Sequence, residues 1–259
     1  MPKRTSNKEH WERLWKKRPV KEIYDNSGRV LEAVKRLYGD NLDGKRILEV
    51  GAGTGRDSFD LAALGAEVYT LDYAPSSLKI IAELNEKSAS KTTPVGGNAF
   101  ALPFKSETFD LVFHQGLLEH FREEEGILAE NARVLKSGGY AIVDVPQRWH
   151  IYTVIKHILI AFDKWFAGWE KEFSLGQLEK KLRKYGLEPV DFYAEWMYPC
   201  LGYRMMREAL WKVGIRLPLI PFKIPVLHRV RRSIRSWLKY RRICTYTGIS
   251  VGVIGKKAG

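Results

Sequence analysis

From Leu42 onward, short apolar runs alternate with segments of helical period. "RILEV" (46–50) stops at a glycine, and Arg56 to Leu64 follows with Phe59, Leu61, Ala62 and Ala63 spaced to supply one buried side. "AEVYTLD" (66–72) predicts a second strand, and Pro75 opens a second helix over Ser76–Leu84, proline being well suited to a first helical turn. A short strand is predicted at Thr93–Gly97 and a fourth at "FDLVFHQ" (109–115), then a helix over Glu119–Leu135. "KSGG" turns the chain into a fifth strand, "YAIVDVP" (140–146). Ser174–Tyr185 reads as an amphipathic helix, and "EPVDFYAEW" (188–196) and "TYTGISVGVIGKK" (245–257) as strands. Strands separated by helices predict a parallel sheet in an α/β domain. The first 40 residues read as helical. Residues 147–173 and 200–243 interrupt the alternation. The expected organisation is a helical cover over 1–42 and one domain over 43–259 carrying those two insertions.

Composition changes this picture in one place. The chain has 259 residues, 45% of them hydrophobic, enough for a full core. Its net charge of +13 is concentrated late: residues 200–242 hold twelve lysines and arginines against the single acid Glu208. The preceding 199 residues balance, with 29 basic against 29 acidic side chains. No run of about 20 apolar residues would span a bilayer. The start of the chain, "MPKRTSNKEHWERLW", is polar, and Cys200 and Cys244 make neither a disulfide framework nor a zinc spacing. A cytoplasmic, reducing setting is expected.

The candidate chemistry lies in "RILEVGAGTGRD" (46–57). A glycine-rich turn after a strand can hold a phosphate, a dinucleotide or a nucleoside without phosphate. A phosphate loop needs G-x-x-x-x-G-K-[ST], but Gly55 is followed by Arg56 and Asp57. The dinucleotide fingerprint needs a third glycine or alanine where Arg56 stands, and a bulky cation there opposes close helix–strand packing. The remaining pattern is G-x-G-x-G with Glu49 two positions ahead. The second strand ends in Asp72, a carboxylate placed to accept both ribose hydroxyls. These requirements suit an adenosine bearing an amino-acid tail.

"ILEVGAGTGRD", "VYTLDYAPSSL", "GNAFALPF", "FDLVFHQGLLEHF" and "LKSGGYAIVDVP" resemble, in order, the motifs of class I S-adenosylmethionine-dependent methyltransferases over roughly residues 43–146. The resemblance implies a Rossmann-like α/β fold, a mostly parallel seven-stranded sheet with helices on both faces, and S-adenosyl-L-methionine as cofactor. It implies that Gly51, Ala52, Gly53 and Gly55 pass close to the methionine moiety, with Glu49 near its ammonium group. Asp72 would take the ribose hydroxyls, Tyr73 would lie against the adenine, Asn98 and Ala99 would grip its edge, and Gln115 would position the methionine end. Asn98 departs from the family's usual acid. Tyr24 is a candidate for an aromatic side chain closing over the cofactor, with core packing as its alternative.

Methyl transfer requires the acceptor to be held at near-attack distance, and a base only where the acceptor must lose a proton. "HQGLLEHF" lacks the Asn/Asp-Pro-Pro-aromatic motif of base and glutamine N-methylation, and Pro199–Cys200 lies away from the place of a cytosine-C5 nucleophile. His120 is the candidate catalytic base; capping a helix or packing against the N-terminal segment are its alternatives. His114 reads as a core or orienting residue, and His150 opens the first insertion without a stronger assignment.

The apolar stretch "HIYTVIKHILIAFDKWF" (150–166) reads either as a lid over a hydrophobic acceptor or as a helix buried against the sheet. "LPLIPFKIPV" (217–226) leads into "VLHRVRRSIRSWLKYRR", where Leu227, Val230, Ile234, Trp237 and Leu238 share one helical face and Arg231, Arg232, Arg235, Lys239 and Arg242 fall around the rest. This pattern predicts an anionic membrane-surface element at 217–242, with an RNA-binding segment or a helix docked by its apolar face as alternatives. The expected function is methyl transfer to a small, hydrophobic or membrane-associated acceptor. RNA methylation, a non-catalytic cofactor-binding scaffold and an NAD-dependent oxidoreductase are the rivals.

Overall fold

The computed structural model describes residues 7–17, 28–165, 167–196, 199–218, 220 and 225–259. Its sheet has seven strands: β1 (Arg46–Val50), β2 (Glu67–Asp72), β3 (Thr93–Gly96), β4 (Phe109–Gln115), β5 (Leu135–Pro146), β6 (Leu187–Glu195) and β7 (Ser250–Lys257), in the order β3-β2-β1-β4-β5-β7-β6. All neighbours pair in parallel except β7, which is antiparallel to both β5 and β6. The order runs outward from β1 one way and from β4 the other, so a crevice opens at their carboxyl ends.

Strand alternation explains the two cores. Ile47, Leu111, Phe113, Ile142 and Ile254 face α2 (Arg29–Tyr38) and α3 (Arg56–Ala62), which contribute Val30, Ala33, Val34 and Leu61. Leu48, Val50, Val112, Val143 and Val253 face α5 (Glu125–Val134) and α7 (Leu175–Lys184), which contribute Ile127, Leu128, Leu178 and Leu182. Helix α7 starts at a capping box in which Ser174 and Gln177 satisfy each other's backbone N–H. His114 is fully buried, neither ring nitrogen has a partner, and burial pulls its pKa down to about 4. It is a neutral core residue.

Two expectations need correction. The helix predicted over Glu119–Leu135 is broken: Leu118–His120 form a 3-10 turn, and α5 begins only at Glu125. The fifth strand begins earlier than predicted, at Leu135, because the register against β4 shifts between Phe109 and Leu111 and accommodates "KSGG" within the strand.

In β7, Gly252 pairs with Tyr193 of β6, and a Cβ added at Gly252 would lie 2.1 Å from the ring's Cζ. The ring therefore lies across bare backbone. Gly252→Ala is expected to cost about 1–3 kcal/mol by overpacking, seen as a lower urea midpoint at unchanged slope. An unmoved midpoint would mean that the buried ring slides aside freely.

Candidate active site

The glycine turn leaves β1 with Gly51, Gly53 and Gly55 at φ of 70°, 56° and 64°. Gly51 N–H and Ala52 N–H both donate to Leu71 O, at 2.8 and 3.0 Å, so the turn is tied to the end of β2. Gly53 N–H donates to Asp72 Oδ2 (2.9 Å), Ala74 N–H to Asp72 Oδ1 (2.9 Å), and Ser77 Oγ to Gly53 O (2.7 Å). The carboxylate ending β2 thus organises the turn as well as facing the crevice.

These residues line a cavity of about 300 Å³ at the carboxyl ends of β1, β2 and β4. Glu49, Gly51, Ala52, Gly53, Asp72 and Tyr73 all border it, as do Asn98, Ala99, Gln115 and His120. Gly55 is set back as the left-handed cap of α3. Tyr24 lies outside the described residues.

The cavity brings buried carboxylates together with two arginines, Arg29 and Arg56. Glu49 is buried and accepts from Ser58 Oγ at 2.5 Å; burial, with Asp57 nearby, pushes its carboxyl well above the usual range. Burial also raises Asp72 against the backbone hydrogen bonds that lower it. Asp57 is the third carboxylate in the lining. A cationic ligand relieves such a set, because an opposite charge restores the ionised form. The residues present therefore fit S-adenosylmethionine, which carries an ammonium, a sulfonium and a carboxylate: carboxylates beside arginines, a turn of bare glycine backbone, and a nucleoside-sized cavity.

Gln115 bridges two groups that the sequence pattern did not single out. Its Oε1 accepts from Arg29 Nε (2.7 Å) and its Nε2 donates to Asp57 Oδ2 (2.6 Å). Arg29 continues to Ser250 Oγ (2.8 Å) and to Asp144 (3.3 Å), whose carboxyl burial raises to about 6 although Arg29 opposes it. Asn98 turns Oδ1 toward its own loop, accepting from Phe100 N–H at 3.0 Å. Tyr73 brings to the lining a hydroxyl that is buried without a partner.

The roof comes from α1 (Lys8–Lys17), whose Trp11 and Trp15 border the cavity. Glu12 pins this helix by accepting from Ser76 N–H (3.0 Å) and Ser76 Oγ (2.6 Å) at the head of α4 (Pro75–Lys87). The spacing of Trp11 and Trp15 was the available signal, since i and i+4 face one side of a helix. Arg29 carried no comparable signal; its partners lie 86 and 221 residues away in sequence.

His120 is 9% exposed, on the 3-10 turn after β4, with its ring 4.7 Å from that of Trp11. It packs against the N-terminal segment and borders the cavity. Its Nδ1 has no partner, and burial lowers its pKa while Glu170 and a backbone hydrogen bond to Trp169 oppose the shift. Beyond it lies a buried ionic cluster: Lys156 Nζ meets Glu170 Oε2 (2.8 Å) and Glu172 Oε1 (2.6 Å), and Trp165 Nε1 donates to Glu170 Oε1 (2.9 Å). His150 caps α6 (Ile151–Ala161), accepting from Tyr152 N–H. Among the described residues no His, Cys, Asp or Glu cluster is set to hold a metal.

The sequence from 48 to 143 matches the Methyltransferase domain family. The ubiquinone biosynthesis O-methyltransferase of Cereibacter sphaeroides is 30% identical over 154 residues, 58% of this chain and 62% of that protein. The demethylmenaquinone methyltransferase of Thermobifida fusca is 32% identical over 133 residues, 48% of this chain and 56% of that one. The chain thus spans about three-fifths of the length of these relatives. Among solved structures, a SAM-dependent methyltransferase from Thermotoga maritima superposes with a TM-score of 0.58 at 22% identity, covering 88% of this chain and 86% of that one. Haemonchus contortus phosphoethanolamine N-methyltransferase 2, solved with S-adenosyl-L-methionine, gives 0.59 at 20% identity over 88% and 52%. These two likenesses speak for the fold. With the motifs in order and the strand order around a glycine turn, residues 48–143 form a methyltransferase domain on the class I S-adenosylmethionine-dependent fold.

Proposed function

We propose that this enzyme methylates a hydroxyl oxygen of a small hydrophobic acceptor of the quinone-precursor type. The observation that carries the reading is His120: buried, held neutral, with an unpartnered Nδ1 on a turn bordering the cofactor cavity. A hydroxyl is a poor nucleophile until it sheds its proton, and a neutral imidazole of depressed pKa is ready to accept it at physiological pH. The relatives that act as ubiquinone biosynthesis O-methyltransferases lend support.

In this reading Glu49 receives the ammonium group of S-adenosylmethionine, Asp72 the ribose hydroxyls, and Tyr73, Asn98 and Ala99 the adenine. Gln115, braced between Arg29 and Asp57, positions the methionine end. The bound cofactor supplies a methyl group on a positively charged sulfur. The chain's part is to seat the acceptor under Trp11 and Trp15, exclude water and take the acceptor's proton on His120 Nδ1. The basic 200–242 segment meets an anionic membrane in this reading, not RNA, because the side chains it turns outward include Val230, Ile234 and Trp237.

The test is transfer of label from methyl-labelled S-adenosylmethionine to catechol-type quinone precursors, with the product's methyl position read by NMR. An O-methyl product is expected. A methyl on carbon or nitrogen, or no transfer to any hydroxylated aromatic despite cofactor binding, would overturn the proposal.

A further inference from the structure

An amphipathic helix docked on a protein normally hides its apolar side and wets its charges. In both insertions a buried lysine anchors the helix while an apolar face is left exposed. Helix α6 buries Lys156 (2% exposed) against Glu170 and Glu172, and presents Ile151, Val154, Ile158 and Phe162 at 53% to 71% exposure. Their spacing of three and four residues places them on one face. The other side of α6 packs inward, Ile160 with Trp165 and Ala167 and beside Trp11 of the roof, so the helix covers the site and carries a second apolar face outward.

Helix α9 (Pro225–Lys239), which follows α8 (Leu201–Lys212), repeats the pattern. Lys239 is 6% exposed and reaches Glu32 (2.6 Å) and Glu195 (3.6 Å), while Arg235 bonds Glu195 and the carbonyl of Trp196. Val230, Ile234 and Trp237 point away from those anchors, at 51% to 63% exposure. The alternative of a helix docked by its apolar face is thereby corrected: charged side chains make the attachment. Much of the 217–226 stretch that precedes α9 lies outside the described residues.

Topology brings the two helices to one end of the molecule. Pro146 of β5, Ser250 of β7 and Glu195 of β6 are register partners, so the chain leaves for α6 and for the 200–243 insertion from the same edge of the sheet. That edge is the carboxyl end of the parallel strands, where the cavity opens. An exposed apolar face needs an occupant, and charge selects it. Twelve basic residues against one acid across 200–242 repel a second copy of the same segment and attract a negatively charged plane. Trp149, exposed beneath the Arg148 guanidinium at the start of α6, and Trp237 beneath that of Arg241 are the side chains favoured at a lipid headgroup boundary.

We infer that the outward faces of α6 and α9 form a docking surface for an anionic lipid bilayer, holding the cavity mouth at the membrane boundary. For its purpose this rests on the reading of a membrane-side acceptor; its test does not, since vesicle binding is measured without any acceptor. No helix among the described residues is long and apolar enough to cross a membrane, so the contact is peripheral in kind.

The experiment is flotation of the full chain with vesicles of equimolar phosphatidylglycerol and phosphatidylcholine, and with phosphatidylcholine alone. Each basic residue at an anionic leaflet is worth roughly fivefold in partition, so anionic vesicles should bind at least about tenfold better at low salt. The pairs Ile158→Asp with Phe162→Asp, and Ile234→Asp with Trp237→Asp, should each weaken binding about tenfold or more. Thermal melts and methyl transfer to a water-soluble acceptor should be unchanged. Equal binding to both vesicle types, binding indifferent to both pairs, no binding at low salt, or a dimer or tRNA complex in place of vesicle binding would each overturn the inference. Loss of transfer with vesicle binding intact would count against the proposed function alone.

Discussion

Gly53→Arg is expected to abolish binding of S-adenosylhomocysteine, the demethylated cofactor, while leaving the sheet folded. Three constraints meet at this residue. Its φ of 56° costs an L-residue about 1–2 kcal/mol. A Cβ there would stand 2.7 Å from Trp15 Cζ2 and 2.9 Å from Cη2, with no room between turn and roof. Its N–H and carbonyl are both committed, to Asp72 and Ser77, so the turn cannot rotate away without releasing β2's terminal carboxylate. The arginine side chain would also fill the cavity. Calorimetry should show affinity reduced at least about a hundredfold, a loss of about 3 kcal/mol, with an unchanged far-UV spectrum. Gly53→Ala separates the causes: if the roof is responsible, adding Trp15→Ala should recover part of the affinity. Normal binding by folded Gly53→Arg would place the cofactor elsewhere.

His120→Ala should lower kcat/KM for a hydroxyl acceptor by about 10²–10⁴-fold, the usual worth of a positioned base, with a much smaller effect on S-adenosylhomocysteine affinity. The pH profile distinguishes this from a packing defect against Trp11. The active form is the neutral imidazole. Burial holds its pKa below the ordinary value of 6.5, so the acid limb of the wild-type profile should lie below that pH and the rate should be flat from neutrality upward. In His120→Ala the limb should vanish, leaving a rate that rises with pH toward the acceptor's own ionisation. A variant that retains the same limb at reduced amplitude would make His120 structural and leave proton removal to another group. The ionic cluster behind it bears on this limb, because Glu170 favours the protonated ring and burial disfavours it.

Much of the cofactor side was legible in the chain because it is local. The strand–turn–helix of residues 46–62 is one contiguous unit, and its glycines, Glu49 and the carboxylate ending the next strand occur within 27 residues. Backbone geometry confines such a turn to glycine, so the residues announce it. The break between Leu118–His120 and α5 was not legible, because Glu119 to Val134 has helical spacing throughout. Only the packing of Leu118 and Phe121 into the core, and of His120 beneath Trp11, stops the helix there.

The order of motifs determined by itself the fold class and the cofactor, since each depends on short-range pattern: strand period, glycine at positive φ, an acid at a strand end. Tertiary structure decided the rest. Arg29 joins the site from 86 residues before Gln115, and Trp11 and Trp15 roof it because Glu12 finds Ser76 across 64 residues. The same amphipathic pattern in α6 and α9 fits either orientation of the helix, and periodicity alone reports an apolar face without saying where it points. Glu170, Glu172, Glu32 and Glu195, brought into place from distant segments, offer the buried lysines partners and turn the apolar faces outward.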